Sequence, residues 1–257
     1  MKEEIKIFLE KVPALHSKGK AIITLMYVLS FVGIIVLYFY FFNQIAWYMP
    51  IITQSLMALI VILIGYFHTK KAEHYREKYG RLAYQKYFYR YIIPLLITWY
   101  ALFFHPLFVT GQSIFPIWIF PSWTPILLAI ILFIMFMLVN LHIERAGFKM
   151  MTNGMDIYSI FPEEAPIVRG KIYSYIRHPL YLSLTLGCFS LAFLVNNYIA
   201  MICGFIQLIP CIFMGKIEDK ELITRDGSTH MDYINDTAMI FPIRRIGGFL
   251  KLIFLLK

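Results

Sequence analysis

Two clusters of ionisable residues are the part of this chain most suited to chemistry. The first, residues 177–181, reads RHPLY, and the second, residues 218–222, reads EDKEL. Two apolar runs joined by an Asn196-Asn197 pair separate the clusters. If the runs fold as a helical hairpin, both clusters lie at the same end of it. Ionisable groups held beside apolar spans are costly to organise, so their convergence predicts a functional site.

Pro179 determines how the first cluster enters its helix. Proline suits the first turn of a helix and disfavours a helical conformation at the residue before it, here His178. Arg177 and His178 should therefore form a loop before a helix whose unpaired N–H groups favour an anion such as a carboxylate or phosphate. If the second helix continues, Glu218 and Glu221 share a face. The alternative is a structural ion-pair network that closes a membrane surface.

The composition indicates an integral membrane protein. The chain is 60% hydrophobic and 15% charged, whereas soluble domains average about 25% charged residues. A helix needs about 20 apolar residues to span a bilayer. Six apolar runs are candidates, and the last two are short and interpreted as a tilted hairpin: 21–42, 50–67, 92–109, 123–141, 180–195 and 198–214. The sequence predicts an all-α integral membrane protein with about six transmembrane helices, of which the C-terminal hairpin carries the candidate site.

The basic residues are confined to the segments between these runs. The connections 43–49, 110–122 and 196–197 carry no charge, and all 24 Lys and Arg lie elsewhere, outside the runs. Because cytoplasmic loops are enriched in Lys and Arg, we expect a multi-pass protein with both termini and the site on the cytoplasmic side. The formal net charge of +9 predicts attraction to anionic lipid headgroups. Nucleic-acid binding is not expected, because the basic residues lie beside membrane spans.

The chain is predicted to form one membrane domain in two parts. Residues 1–142 would hold an interfacial helix and four spans, and residues 143–257 the hairpin and a cytoplasmic C-terminal segment. Three cysteines, Cys188, Cys203 and Cys211, fall in predicted spans, which suits packing rather than a disulfide framework. No Cys/His spacing resembles a metal site, and no glycine-rich phosphate loop is present.

Residues 165–245 resemble the isoprenylcysteine carboxyl methyltransferases and the phospholipid methyltransferases. Segment 173–183 is similar to the Arg-His-Pro-x-Tyr-x-Gly motif of those families, and segment 218–233 to their Glu-Glu-x-x-Leu-x-x-x-Phe-Gly-x-x-Tyr-x-x-Tyr motif. The spacing of the second motif fits without gaps. The chain departs from the pattern at four motif positions: Ser183, Asp219, Asp226 and His230. Since the Arg-His-Pro-x-Tyr and first Glu positions are intact, the departures bear on substrate preference.

The resemblance implies a membrane methyltransferase that takes its methyl group from S-adenosyl-L-methionine. Residues 143–257 would form the methyltransferase core. Arg177, Glu218 and Asp219 would face the reacting centre. The residues implied to line the cofactor site are Tyr175, His178, Leu180, Tyr181 and Glu218.

The acceptor is expected to be a lipid or a prenylated molecule that enters from the membrane. The resemblance favours carboxyl O-methylation of an isoprenylcysteine-type acceptor, and the alternative is N-methylation of a phospholipid amine. A carboxylate acceptor needs no base, and Arg177 would orient it. An amine must lose a proton, which Glu218 or Asp219 could take.

Two further classes of protein stay open. A membrane oxidoreductase similar to the sterol reductases would bind a nicotinamide cofactor, although such enzymes usually have more spans. A non-enzymatic membrane scaffold would bind neither cofactor. No Asp, Glu, Lys or Arg lies within a predicted span, which argues against an ion-coupled transporter.

Overall fold

The computed structural model describes residues 2–116, 118–165 and 167–255, and most of them are helical. That part of the chain holds no strand, only two isolated bridges. The α-helices within it are α1 (Lys2–Lys11), α2 (Lys18–Phe42), α3 (Met49–Tyr79), α4 (Ala83–Tyr87), α5 (Ile93–Phe104), α6 (Thr124–Arg145), α7 (Pro179–Leu194), α8 (Tyr198–Asp226), α9 (Ser228–Asp236) and α10 (Ile246–Leu255). The prediction of an all-α fold is confirmed.

Four helical segments among the described residues are long and apolar enough to cross a membrane. Three of them are α2, α6 and α8, and the fourth runs for 60 residues, Met49–Phe108, through α3, α4 and α5. Helix α7 is also apolar but has 16 residues, fewer than the about 20 that a span needs. The helices are compatible with a membrane protein, and each predicted apolar run overlaps one of them.

Helix α3 and the α4–α5 segment run in opposite directions. Gly80 ends α3 with a φ of 50°, a conformation that favours glycine. The Gln54 side chain donates to the Leu102 carbonyl oxygen at 3.4 Å, and the Tyr87 hydroxyl donates to the His68 carbonyl oxygen at 3.2 Å. From the first of these hydrogen bonds to the second, the residue on α3 moves forward in the sequence, from 54 to 68, while its partner moves back, from 102 to 87. The two segments are therefore antiparallel.

Helices α7 and α8 form the hairpin that the Asn196-Asn197 pair predicts. Asn196 has a φ of 48°, a left-handed conformation in which asparagine is enriched. The Asn197 side chain accepts hydrogen bonds from the backbone amides of Ile199 and Ala200 at 2.8 and 3.2 Å, and so caps α8. The predicted turn is confirmed.

Helix α7 packs closely against α5 and α6 through small residues. Ser183 is buried, and its hydroxyl accepts a hydrogen bond from the Asn140 side-chain amide at 2.5 Å. A Cβ atom at Gly187 would lie 2.4 Å from the Phe103 ring. Ser183, which stands where the family motif has glycine, therefore still permits a close contact between α7 and α6. Cysteines 188, 203 and 211 are free and buried, as expected of packing residues.

The charge-free connections meet at one end of the bundle. The Asn43 side chain donates to the Phe108 carbonyl oxygen at 3.1 Å. The Asn196 side-chain oxygen accepts a hydrogen bond from the Phe115 backbone amide at 2.9 Å. Where these three connections come together, uncharged side-chain amides thus form hydrogen bonds with backbone groups.

Ion pairs join distant segments at the opposite end. Lys11 pairs with Glu164 at 2.6 Å, and Arg76 pairs with Glu163 at 3.2 Å. These contacts fix the segment between α6 and α7 to the N-terminal part of the chain. The candidate site lies at this charged end.

The first and last helices each bury one face on the protein. Phe8 of α1 and Val12, the residue after α1, are buried in a cluster with Tyr84 of α4. Phe249 and Ile253 of α10 are buried against the main core. Helices α1 and α10 therefore both cover part of the bundle.

Candidate functional site

The loop before α7 is fixed to the chain after α9. The backbone amides of Arg177 and His178 donate to the carbonyl oxygens of Ala238 and Met239 at 2.9 and 3.0 Å. His178 has φ −120° and ψ 66°, outside the helical region, as expected of a residue before Pro179. The loop therefore presents two neighbouring side chains to α8 from a fixed backbone.

His178 bridges two carboxylates of α8. Its Nδ1 atom lies 2.9 Å from Oε2 of Glu218, and its Nε2 atom lies 3.0 Å from Oδ1 of Asp219. Burial by itself lowers the pKa of His178, but the hydrogen bonds to Asp219 and Glu218 outweigh it and raise the pKa to about 9. A neutral imidazole donates from one nitrogen, whereas an imidazolium donates from both. The geometry therefore fits a protonated His178 at neutral pH.

Arg177 connects α8 with the chain around the end of α9. Its Nε atom lies 3.2 Å from both carboxylate oxygens of Asp219, and its Nη2 atom lies 3.1 Å from Oδ2. Its Nη1 atom donates to the carbonyl oxygens of Ile234, at 3.0 Å, and of Thr237. Its side chain is 9% exposed, and these contacts hold α8 to the chain around the end of α9.

Tyr181 positions the second oxygen of Glu218. The Tyr181 hydroxyl donates to Oε1 of Glu218. Its ring stacks on Trp99 of α5, with ring centroids 5.5 Å apart and 19° between the planes. Tyr181 is buried, whereas the Glu218 side chain is 42% exposed. Glu218 is thus oriented by protein groups and still reaches open space.

His230 makes a third contact with Asp219. Its Nε2 atom lies 3.3 Å from Oδ1 of that carboxylate. Burial lowers the pKa of His230 despite the hydrogen bond to Asp219. His230 therefore contributes a neutral donor at neutral pH, in contrast to His178. The sequence signal for this residue was its place in the second motif, where the family pattern has a tyrosine.

Two cavities adjoin this cluster and share part of their walls. The larger has a volume of about 320 Å³ and the smaller about 180 Å³; small-molecule sites range from about 300 to 1,000 Å³. Arg177, His178 and Glu218 line both cavities. Glu221 lines the larger cavity with Glu218, so the predicted shared face of α8 is confirmed, and Asp219 lines the smaller one.

The other residues expected in the cofactor site lie in two places. Leu180 and Tyr181 line the larger cavity. Tyr175 instead packs against α10, with its ring centroid 6.3 Å from that of Phe249. It does not belong to the described residues that line either cavity. A role for Tyr175 in cofactor binding stays a prediction.

Sequence reasoning missed the residues that the first 142 positions contribute. Trp99 of α5 and His68 of α3 line the larger cavity, and His68 hydrogen-bonds Asp156 there. They reach the site through the packing of distant helices, which no local motif reports. The one available signal in the sequence was the position of His68, between the apolar run 50–67 and the basic residues that follow it.

Comparisons with protein-family models, with curated proteins and with solved structures found no match to this chain. Within the ranges that the structure describes, no group of three or more His, Cys, Asp or Glu residues is placed to hold a metal ion. The two motifs and the geometry around them are therefore what indicates the function of this chain.

Proposed function

We propose that this chain is a membrane-embedded methyltransferase that uses S-adenosyl-L-methionine and acts on a hydrophobic or lipid acceptor. The observation that carries the proposal is the meeting of Arg177, His178 and Glu218 at the wall shared by two cavities. These residues belong to the two motifs of the resemblance. A network that only closed a membrane surface would not require open space on both sides of it.

The groups at this wall suit the methyl donor. When bound, S-adenosyl-L-methionine supplies a methyl group attached to a sulfonium cation, and it also carries a carboxylate. The accessible Glu218 carboxylate and the ring of Tyr173, which lines both cavities, favour a cation. Arg169 and the protonated His178 line the smaller cavity and favour a carboxylate. The residues present therefore fit the donor's charges.

The larger cavity suits an acceptor with an apolar chain. Its walls include Leu95, Trp99, Leu184 and Met214. A lipid would enter between the helices, while the soluble donor would enter from the charged end of the bundle. Holding both molecules in a fixed orientation and excluding water would remove much of the barrier to methyl transfer.

The chemistry of the acceptor determines which protein residues methyl transfer requires. A carboxylate, favoured by the resemblance to isoprenylcysteine carboxyl methyltransferases, is already anionic and requires only orientation, for which Arg177 lines both cavities. A phospholipid amine must lose a proton. Glu218 would take it more readily than Asp219, whose side chain is 11% exposed and already accepts hydrogen bonds from Arg177 and two histidines.

We further propose six membrane crossings, with both termini and the site on the cytoplasmic side. The segment Met49–Phe108 would cross twice, because α3 and α5 run in opposite directions. Helix α7 would cross with α8 as a tilted hairpin. The gathering of the charged segments at one end and of the uncharged connections at the other supports this orientation.

Binding of S-adenosyl-L-methionine by detergent-purified protein tests the proposal. Calorimetry should show binding to the wild type, a large loss in Glu218→Gln, and no loss in Glu73→Gln, which removes an exposed carboxylate of α3 outside the site. NADPH serves as the comparison ligand. Transfer of labelled methyl from the donor to extracted lipids and to prenylcysteine analogues would then identify the acceptor.

Each other outcome points to one of the alternatives. Binding of NADPH without S-adenosyl-L-methionine would replace the proposal with a membrane oxidoreductase. Binding of neither ligand by folded protein would favour a scaffold. Binding of S-adenosyl-L-methionine that Glu218→Gln leaves unchanged would refute the assignment of the site.

A further inference from the structure

Asn153 lies on the wall that the two cavities share, and the methyl-transfer site described above does not use it. It belongs to a single tight turn, Met150–Gly154, in the segment between α6 and α7. Arg177, His178 and Glu218 line the same two cavities. Because Asn153 stands outside residues 165–245, neither motif of the resemblance contains it.

The turn fixes the Asn153 side chain by its oxygen. The Asn153 backbone amide donates to the Lys149 carbonyl oxygen at 2.8 Å, and the Lys149 backbone amide donates in return to Oδ1 of Asn153 at 3.0 Å. The Thr152 hydroxyl donates to the same Oδ1 atom at 3.3 Å. Since a backbone N–H can only donate, the side-chain atom that faces Lys149 is the oxygen. The amide nitrogen of Asn153 is therefore held on the side away from Lys149.

This amide nitrogen has no protein acceptor. Within residues 2–116, 118–165 and 167–255, the Asn153 side chain forms hydrogen bonds through Oδ1 alone. Its Nδ2 atom carries two N–H groups, and the residue is half-buried in a wall that borders open space. When a ligand displaces water from this wall, these N–H groups require an acceptor on the ligand.

The other fixed donors on the shared wall are mostly used within the protein. Both ring nitrogens of His178 face the two carboxylates of α8 described above. Of the five N–H groups of Arg177, the one on Nε, both on Nη1 and one on Nη2 have protein acceptors. The Tyr173 hydroxyl can donate or accept, so it does not select between ligands. The Asn153 amide therefore supplies most of the donor capacity that the shared wall offers.

Such donors distinguish a carboxylate from an amine. A carboxylate has two oxygens with about four lone-pair sites, so it can accept from Asn153 and Arg177 and still present a lone pair to the methyl group. An ammonium group has donors only. A neutral amine has a single lone pair, which the methyl group requires, so a hydrogen bond from Asn153 would occupy it.

We propose that Asn153 is a specificity-determining residue, which donates a hydrogen bond to an oxygen of the acceptor carboxylate and so favours a carboxylate over an amine. The inference rests on the proposed function, within which it decides between the two acceptors left open there. The apolar wall around Leu95 and Leu184 would hold the chain of the acceptor. The contact is one of binding, so it can be measured without methyl transfer.

Two probes on one prenyl skeleton test this role: N-acetyl-S-farnesylcysteine, and its analogue with an aminomethyl group in place of the carboxyl. Binding to the full chain in nonionic detergent is measured by calorimetry, with the heat of transfer into empty micelles subtracted. The readout is the ratio of carboxylate affinity to amine affinity. Because the accessible Glu218 carboxylate attracts the amine in every variant, this ratio is compared between proteins. A purely structural role of Asn153 would change both affinities alike and leave the ratio as it is.

Two variants separate the donor from the turn. Asn153→Ala removes both N–H groups and should lower the ratio about tenfold, as the loss of one hydrogen bond to a charged group allows. Asn153→Asp keeps an oxygen that accepts from Lys149 and Thr152, so it retains the turn, but it replaces the donor with a carboxylate. The ratio should fall further than in Asn153→Ala, because the new charge repels one probe and attracts the other. The matched variant Asn235→Asp, at an exposed position of α9, should keep the wild-type ratio.

The outcomes that would overturn the proposal are specific. A wild-type ratio in folded Asn153→Ala would do so even if Asn153→Asp lowers the ratio, because the added charge alone would then explain that fall. If Asn153→Ala does not fold, Asn153→Asp decides the case, and a wild-type ratio there overturns the proposal.

Failure of this role and failure of the proposed function are distinguishable. Folded protein that binds no S-adenosyl-L-methionine refutes the proposed function. Protein that binds S-adenosyl-L-methionine, but whose probe ratio is the same in the wild type and in both Asn153 variants, refutes the role of Asn153 alone.

Discussion

The protonation of His178 predicts a pH dependence of stability that can be calculated from the site. The pKa of this side chain is about 9 in the folded protein, against an ordinary value of 6.5. Because the folded pKa is the higher one, the stabilisation is fully present below about pH 6.5 and is lost as the pH rises through 9. Each pKa unit corresponds to about 1.4 kcal/mol, so the full effect is about 3 kcal/mol.

Thermal unfolding of the wild type and of His178→Gln measures this contribution. A change of 1 kcal/mol shifts the midpoint of a chain of this size by about 2–4 °C. Between about pH 6 and pH 10 the wild-type midpoint should therefore fall by about 6–12 °C more than that of the variant. Taking the difference between the two proteins removes the contribution of groups that titrate in both.

Parallel pH curves for the two proteins would refute the reasoning. They would mean that Glu218 and Asp219 do not stabilise a charged ring at position 178. A direct check is the titration of the His178 ring by NMR in labelled protein. A pKa at or below 6.5 would lead to the same rejection.

The remaining predictions concern the packing that places the site. Asn197→Ala removes the cap of α8 and should lower stability by about 1 kcal/mol, seen as a fall of about 2–4 °C in the thermal midpoint; an unchanged midpoint would show that the cap is dispensable. Gly215→Ala would place a Cβ atom 2.5 Å from Cε of Met239, a flexible methyl group that can move, and 3.1 Å from the His178 ring, which is fixed by two carboxylates. Because the ring would be displaced, binding of S-adenosyl-L-methionine, measured by calorimetry, should weaken about tenfold. Wild-type affinity in Gly215→Ala would mean that the ring tolerates displacement.

Part of the fold could be predicted because its causes are local. The Asn196-Asn197 pair marks a turn through residue types that accept a left-handed backbone and cap a helix. That turn makes the meeting of His178 with Glu218 predictable, since helical segments of comparable length, residues 179–194 and 198–218, lie on either side of it. The pattern of charges likewise predicts which segments share an end.

Other parts of the site depend on packing between helices that are far apart in sequence. Trp99 stacks on Tyr181 because α5 lies beside α7, and no periodicity in either helix encodes that neighbour. The pairing of His68 with Asp156 depends on a backbone conformation that sequence patterns do not report. The role in cofactor binding that the resemblance implies for Tyr175 stays a prediction, and the contact of its ring with α10 is one that no motif reports.

The uncharged end of the bundle has a consequence for how the protein is made. Residues 43–49, 110–122 and 196–197 carry no Lys, Arg, Asp or Glu. A charged side chain at the bilayer centre costs at least about 2.5–3.5 kcal/mol, so loops without charge avoid that barrier during translocation. With the six crossings proposed above, three helical hairpins could then be inserted one after another from the charged side, each moving only neutral side chains through the hydrocarbon. The charge distribution that we propose to orient the protein would thus also make its biogenesis possible in pairs of helices.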